Sequence, residues 1–168
     1  MADSVILAQL DVPMALAESS FAQFYNGCIL ISTMATKSFV FNDYVRIYDT
    51  DAQGVVHYAG YYRFFTDSAE KFMSKAVGIN YPLFDSKVWF VVVESQAQYY
   101  KPAKLGDRLS VSLVASMISK KALRFDFNIR RKGVRICSGH IVQVAIDRRR
   151  WKATNIPTRL AKYLVSGA

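Results

Sequence analysis

The stretch Tyr48–Met73, YDTDAQGVVHYAGYYRFFTDSAEKFM, decides how the rest of the chain reads. It opens as the end of a strand, passes two carboxylates and a glycine turn, and closes as an amphipathic helix. Tyr58, Tyr62, Phe65, Ala69, Phe72, Met73 and Ala76 recur at three- and four-residue spacing, which predicts one buried helical face. Arg63, Asp67, Glu70, Lys71 and Lys75 take the other side, and Asp67 stands four residues before Lys71, the favourable order for an ion pair. Asp49 and Asp51, two apart on extended chain, are expected to point the same way just ahead of the helix. The free N–H groups of a helix start carry partial positive charge, so a carboxylate beside them makes a candidate hydrolytic site.

Before this stretch, Phe39–Tyr48 alternates as a first strand, and Gly78 is placed to end the helix near Val77. Asn80–Lys87, with Pro82, reads as a connector. Four further strands follow at Val88–Tyr100, Leu109–Ile118, Leu123–Arg131 and Val134–Asp147, joined by the turns Gly106-Asp107, Ser119-Lys120-Lys121 and Lys132-Gly133. Phe125, Phe127 and Ile129 alternate with Arg124, Asp126, Asn128 and Arg130, giving one dry and one wet face. Pro157–Leu164 suits a short closing helix. One apolar helix followed by a run of short-linked strands predicts an α+β domain, an antiparallel sheet wrapped around the helix.

The 168-residue length favours one domain, with 52% apolar residues to fill its core. Residues 1–33 carry no Lys or Arg, lacking the basic start of a signal peptide, and Met34 precedes the first strand pattern. We therefore expect a 1–33 extension ahead of a domain spanning 34–168. Ser19–Thr36 is uncharged but too polar for a membrane span. Cys28 and Cys137 are far apart in sequence, and with His57 and His140 they form no metal-ligand spacing; reduced cysteines suggest the cytoplasm. Charge is uneven: residues 1–100 hold 6 basic and 10 acidic side chains, whereas residues 101–168 hold 16 and 3. The basic half needs an anionic partner or thorough solvation, the candidates being nucleic acid, an anionic membrane or a phosphate-bearing ligand.

The segments DTDAQGVVHYAGYYRFF and YYKPAKLGDRL, with a terminal-strand Asp and an Ile-Pro-initiated end, resemble the hotdog-fold acyl-CoA thioesterases. The similarity is to the 4-hydroxybenzoyl-CoA thioesterase type, including the Tol–Pal-associated bacterial enzymes, and it runs from about Phe39 to Leu164. It implies a hotdog fold, a five-stranded antiparallel sheet around one long central helix. It also implies a homodimer or homotetramer, and hydrolysis of acyl-CoA to a free acid and coenzyme A (CoA) without metal or redox cofactor. Carried over by position, Asp51 matches the catalytic carboxylate, as base or nucleophile, and the Tyr58 N–H matches the helix-start donor that polarises the thioester carbonyl. This chain has His57 then Tyr58 where the Tol–Pal branch has tyrosine then histidine. His57 is thus either a catalytic base or a turn histidine bonded to backbone. Lys120 and Lys121 match a basic pair that contacts CoA phosphates, and Arg149, within Arg148–Arg150, is a further candidate.

Other uses of these residues remain open. An Asp before a helix is often a capping or turn residue, and Asp49 reads as structural, partnered by Arg46 or Arg63. Glu70 reads as solvated or interfacial, and His140 as a structural histidine. Ser95 and Ser138 lack a Gly-x-Ser-x-Gly context, which leaves a serine hydrolase unsupported. The basic residues are spread over several turns, with no recognition helix, so nucleic acid is not expected. Two alternatives are a hotdog hydratase or dehydratase, and a non-catalytic hotdog that binds acyl-CoA or nucleic acid.

Overall fold

Strand β1 (Phe39–Tyr44) turns Phe39 and Phe41 toward the core and leaves Val40, Asn42 and Tyr44 exposed. Period-two alternation requires that arrangement. The structure, a computed structural model, describes residues 38–78 and 87–166. The expected boundary at residue 34 and most of the Asn80–Lys87 connector lie outside the described residues. After β1 come a 3-10 turn (Ile47–Asp49) and helix α1 (Gly60–Lys71), which runs on as a π turn (Phe72–Val77). Gly78 ends it in the left-handed conformation at φ 71, as the sequence leads one to expect.

The remaining main strands are β2 (Val88–Tyr99), β3 (Arg108–Met117), β4 (Ala122–Arg131) and β5 (Val134–Asp147). They join β1 in one antiparallel sheet of order β1-β3-β4-β5-β2, curled around α1 as a hotdog fold. Among the described residues β1 and β2 stand at the two ends of this order. Two short strands extend the expected five: β6 (Lys152–Ala153) folds back on β5, and β7 (Val165–Ser166) pairs parallel with β3. Between β6 and β7, helix α2 (Thr158–Ala161) begins after Pro157. Among the described residues no helix is long and apolar enough to cross a membrane.

The core lies between α1 and the inner face of the sheet. Phe65 stacks on Phe127 with ring centroids 4.5 Å apart, and Phe72 meets Phe39 and Phe125 edge-on. Full burial of a ring such as Phe65 contributes roughly 2 kcal/mol. Gly139 on β5 makes room for it, since a Cβ there would meet the Phe65 ring at 2.8 Å and the Gln96 carbonyl oxygen closer still.

The buried helical face differs from the one the spacing predicts. Tyr58 and Ala76 are exposed, while Tyr61, Phe64, Ser68 and Val77 are buried. The helix starts only at Gly60, leaving Tyr58 in the preceding turn, and the wider π turn delays the phase so that Val77 faces inward in place of Ala76. Asp67 pairs with Arg63, not Lys71, at 2.6 Å.

The sheet sets two ends of the molecule apart. Residues 103–107 lead into β3 beside the Asp51 loop, through Val56 N–H to the Ala103 carbonyl and a bridge between Val55 and Lys104. Lys120 and Lys121 lead out of β3 at its far end, where Ala145 N–H donates to the Lys121 carbonyl. The ten residues of β3, at about 3.3 Å each, put roughly 30 Å between these ends.

Candidate active site

Asp49 is structural, and its partners come from both expected arginines. Its side chain is 2% exposed and accepts from Arg63 Nε at 2.6 Å, Arg63 Nη2 at 2.8 Å and the Arg46 N–H at 2.8 Å. Arg63 also reaches Asp43 at 2.7 Å, and Arg46 reaches Asp43 at 3.0 Å. Burial opposes the charge on Arg63, but hydrogen bonds to Asp49 and Asp43 outweigh it and raise its pKa. Because residues 47–49 form a 3-10 turn instead of extended chain, the two aspartates engage different partners.

Asp51 opens the loop that follows. It is half-buried, its Oδ1 accepts from the Gln53 N–H at 2.9 Å, and its backbone closes a small hairpin with Val55 and Gly54. The chain then returns past Asp49, whose carbonyl accepts from the His57 N–H at 2.9 Å. Gly60 permits this close return: a Cβ there would lie 2.9 Å from the Asp49 carbonyl oxygen and 3.1 Å from Val56 Cγ1.

Between this loop and α1, backbone donors are used in a definite order. His57 N–H goes to Asp49, Ala59 N–H to His57 Nδ1 at 3.3 Å, and Gly60 N–H to the His57 carbonyl at 2.8 Å. Among the described residues the Tyr58 N–H has no hydrogen-bond partner. Its peptide plane is nevertheless held, because the carbonyl of that same peptide is the one Gly60 binds. Tyr99 Oη donates to the Tyr58 carbonyl at 3.0 Å and steadies the next peptide. The arrangement is a fixed, free amide donor in the turn ahead of a helix, seven residues after a carboxylate, which suits stabilisation of a developing oxyanion.

Exposed aromatic and aliphatic surface surrounds this turn. Ile47, Tyr48, Tyr58, Tyr99 and Tyr100 are all exposed, and the rings of His57 and Tyr58 lie 4.2 Å apart. Tyr61, by contrast, is buried, and its hydroxyl accepts from the Ala103 N–H. Burial pushes the Tyr61 phenol up, and the Tyr99 phenol as well.

A model of the thioesterase-like superfamily matches residues 45–164 of the sequence. The chain belongs to the thioesterase-like superfamily. The relatives below that carry a named activity are thioester hydrolases. A 1,4-dihydroxy-2-naphthoyl-CoA hydrolase of Synechococcus elongatus is 25% identical over 127 residues, covering 74% of this chain and 93% of that protein. The acyl-CoA thioester hydrolase YbgC of Escherichia coli is 28% identical over 116 residues, covering 67% and 87%. The crystal structure of Slr0204, a 1,4-dihydroxy-2-naphthoyl-CoA thioesterase from Synechocystis, superposes with a TM-score of 0.72 at 21% identity, over 76% of this chain and 95% of that one.

Against this superfamily frame, the candidate residues divide. Asp51, His57 and Tyr58 come together on one loop and turn. Lys120, Lys121 and Arg149 are exposed at the opposite end of the same sheet, so one chain does not unite them with Asp51. His140 lies on the outer face, bonded to Glu94 at 2.6 Å, away from the Asp51 loop. Sequence reasoning missed Gly60 and Tyr99. A glycine at the start of an aromatic helix was a readable signal for the first. Tyr99 meets Tyr58 across 41 residues, with no local trace.

Proposed function

We propose that the chain hydrolyses acyl-CoA thioesters to a free acid and CoA, with Asp51 as general base or nucleophile and the Tyr58 N–H as oxyanion donor. The observation that carries this reading is that free donor, whose neighbours on both sides are occupied and whose plane the Gly60 bond holds. As base, Asp51 takes a proton from water while the water oxygen bonds to the thioester carbon. The carbonyl electron pair moves to the oxygen facing Tyr58 N–H. Collapse then breaks the C–S bond and expels the thiolate, which takes up the proton that Asp51 accepted from water. As nucleophile, Asp51 itself bonds to the carbon and the C–S bond breaks to release the thiolate; water then hydrolyses the resulting anhydride, freeing the acid and the Asp51 carboxylate. His57 Nδ1 accepts from Ala59, so the neutral ring carries its proton on Nε2. That tautomer leaves no free basic nitrogen and lets Nε2–H hydrogen-bond to the departing sulfur without giving up its proton.

The phosphates of CoA are assigned to Lys120, Lys121 and Arg149 of a second copy. Strand β2 stands last in the strand order among the described residues, with Val92 and Tyr99 exposed along it. Two identical edges related by a two-fold axis pair antiparallel, which sets the Tyr99 end of one β2 beside the Val88 end of the other. The basic end of each chain then approaches the Asp51 loop of its mate. A homodimer, or a tetramer of two such dimers, is the expected active form, and a fully active monomer in sedimentation would contradict it. No metal or redox cofactor enters this scheme.

The test is thiol release from short, long and aromatic acyl-CoA esters by wild type and Asp51→Asn. Hydrolysis of some esters, with a loss of about a hundredfold or more in the variant, supports the mechanism. CoA binding without thiol release would leave a carrier role instead.

A further inference from the structure

Trp151 holds a conformation that its own side chain disfavours. Its φ is 52, and besides Lys132 it is the only non-glycine residue with positive φ among those described. A bulky side chain in the left-handed region is costly. Burial does not compensate, since Trp151 remains 48% exposed. The turn enforces the conformation: Asp147 Oδ1 accepts from the N–H groups of Arg149 and Arg150, at 2.9 and 2.8 Å, and the Trp151 N–H reaches back to the Asp147 carbonyl at 2.8 Å. With that carboxylate engaged by backbone, neither guanidinium of Arg149 and Arg150 forms a salt bridge among the described residues.

The ring has a defined setting. It meets Trp89 edge-on at 6.3 Å and 85°, and the Arg148 guanidinium covers the Trp89 ring at 4.9 Å. Beside the turn lies a cavity of about 600 Å³ lined by Lys87, Asp147, Arg148, Arg149 and Arg150, four cations to one anion. A strained, half-exposed aromatic plane next to arginines that form no salt bridge among the described residues fits a ligand that is flat at one end and multiply phosphorylated at the other.

We infer that Trp151 is a stacking platform for the adenine of CoA, with Arg149 and Arg150 binding its phosphates. This rests on the acyl-CoA reading above and adds to it the residue that recognises the nucleotide. The purine supplies a face for the indole, and the 3′-phosphate and pyrophosphate supply charge for the arginines. Nucleotide recognition then occupies the end of the sheet farthest from Asp51 in the same chain, and serves the mate's reaction centre.

Trp89 and Trp151 are the only tryptophans in the sequence, so intrinsic fluorescence reads this corner directly. The probe is adenosine 3′,5′-bisphosphate, with excitation at the red edge of the indole band, clear of adenine absorption. We expect saturable quenching and shielding of the exposed indole from acrylamide; absence of both overturns the inference. Calorimetry then compares variants. Trp151→Gly removes the ring while relaxing the backbone, and should weaken binding about tenfold, whereas Trp151→Phe keeps a ring and should stay within about threefold. Equal affinity in Trp151→Gly and wild type overturns the inference. So does loss of binding only in Arg108→Gln/Arg130→Gln, which would move the nucleotide to the basic pocket beside β1 and β3. In turnover, Trp151→Gly should reduce kcat/KM for acyl-CoA about tenfold relative to that for an acyl-pantetheine thioester, which lacks the nucleotide. Bisphosphate binding with no ester hydrolysed would sink the thioesterase reading alone. Hydrolysis with no bisphosphate binding would sink this one alone.

Discussion

Arg63 grips Asp49 with two parallel hydrogen bonds, Nε to Oδ1 at 2.6 Å and Nη2 to Oδ2 at 2.8 Å, across 14 residues of chain. The pair ties helix α1 to the 3-10 turn that precedes the Asp51 loop. With Asp49 2% and Asp43 8% exposed at their side chains, Arg63 bridges both carboxylates and, with Arg46 on Asp43, makes their burial tolerable.

Truncating it should therefore be severe. We expect Arg63→Met to lose about 3 kcal/mol or more of stability near neutral pH, measured by urea unfolding. The Asp43 carboxyl is held below its usual range: burial alone would raise it, but the Arg63 hydrogen bond, the Tyr44 backbone and the charges of Arg63 and Arg46 prevail. A depressed pKa contributes stability above the unfolded value near 4, and that contribution fades as pH falls through the folded value. The gap between wild type and variant should accordingly narrow from about pH 7 to about pH 3. A constant gap would mean that Arg63 acts through packing alone.

Gly139 lets Phe65 lie flat against the sheet. In Gly139→Ala the new Cβ meets the Phe65 ring at 2.8 Å and the Gln96 carbonyl oxygen closer still. The ring can shift but the strand carbonyl cannot, so we expect about 2 kcal/mol of destabilisation by thermal unfolding. A stability within about 0.5 kcal/mol of wild type would show that β2 and β5 separate readily there.

Cys137 points into the core and is fully buried, and burial pushes its thiol up to about 12. The thiolate is the reactive form, so the native protein should resist alkylation at mildly alkaline pH. In a Cys28→Ser background, labelling of Cys137 should be slow and should accelerate with denaturant in step with unfolding. Rapid labelling in native buffer would contradict the full burial of Cys137 in the core.

The strands were legible because alternation survives in one dimension: Phe125, Phe127 and Ile129 face the helix and their polar neighbours do not. The two-residue strands at Lys152–Ala153 and Val165–Ser166 are too short for any period to show. The helix phase slipped for a local reason, a start set by Gly60 and an end set by a π turn. At the site, the Asp-Thr-Asp motif falls on the loop just ahead of the Tyr58 turn, and the Asp49 partners are the two arginines considered. Sequence proximity cannot reveal that the length of β3 separates Lys120 and Lys121 from Asp51.

Gly60 offers the sharpest check on the oxyanion donor. Its N–H holds the His57 carbonyl, and thereby the plane of the Tyr58 N–H, while its bare Cα sits against the Asp49 carbonyl. Alanine favours helix over glycine by about 1 kcal/mol, so Gly60→Ala should not harm α1 itself. Its Cβ must instead push the Asp49 carbonyl and Val56 away, tilting the donor. A lost oxyanion donor costs about a hundredfold or more in kcat, so a tilted one should cost at least about tenfold, with the melting temperature lowered by only a few degrees. Steady-state kinetics beside thermal unfolding separates the two effects. Activity within about twofold of wild type would remove the Tyr58 N–H from the mechanism and leave Asp51 to be explained without it.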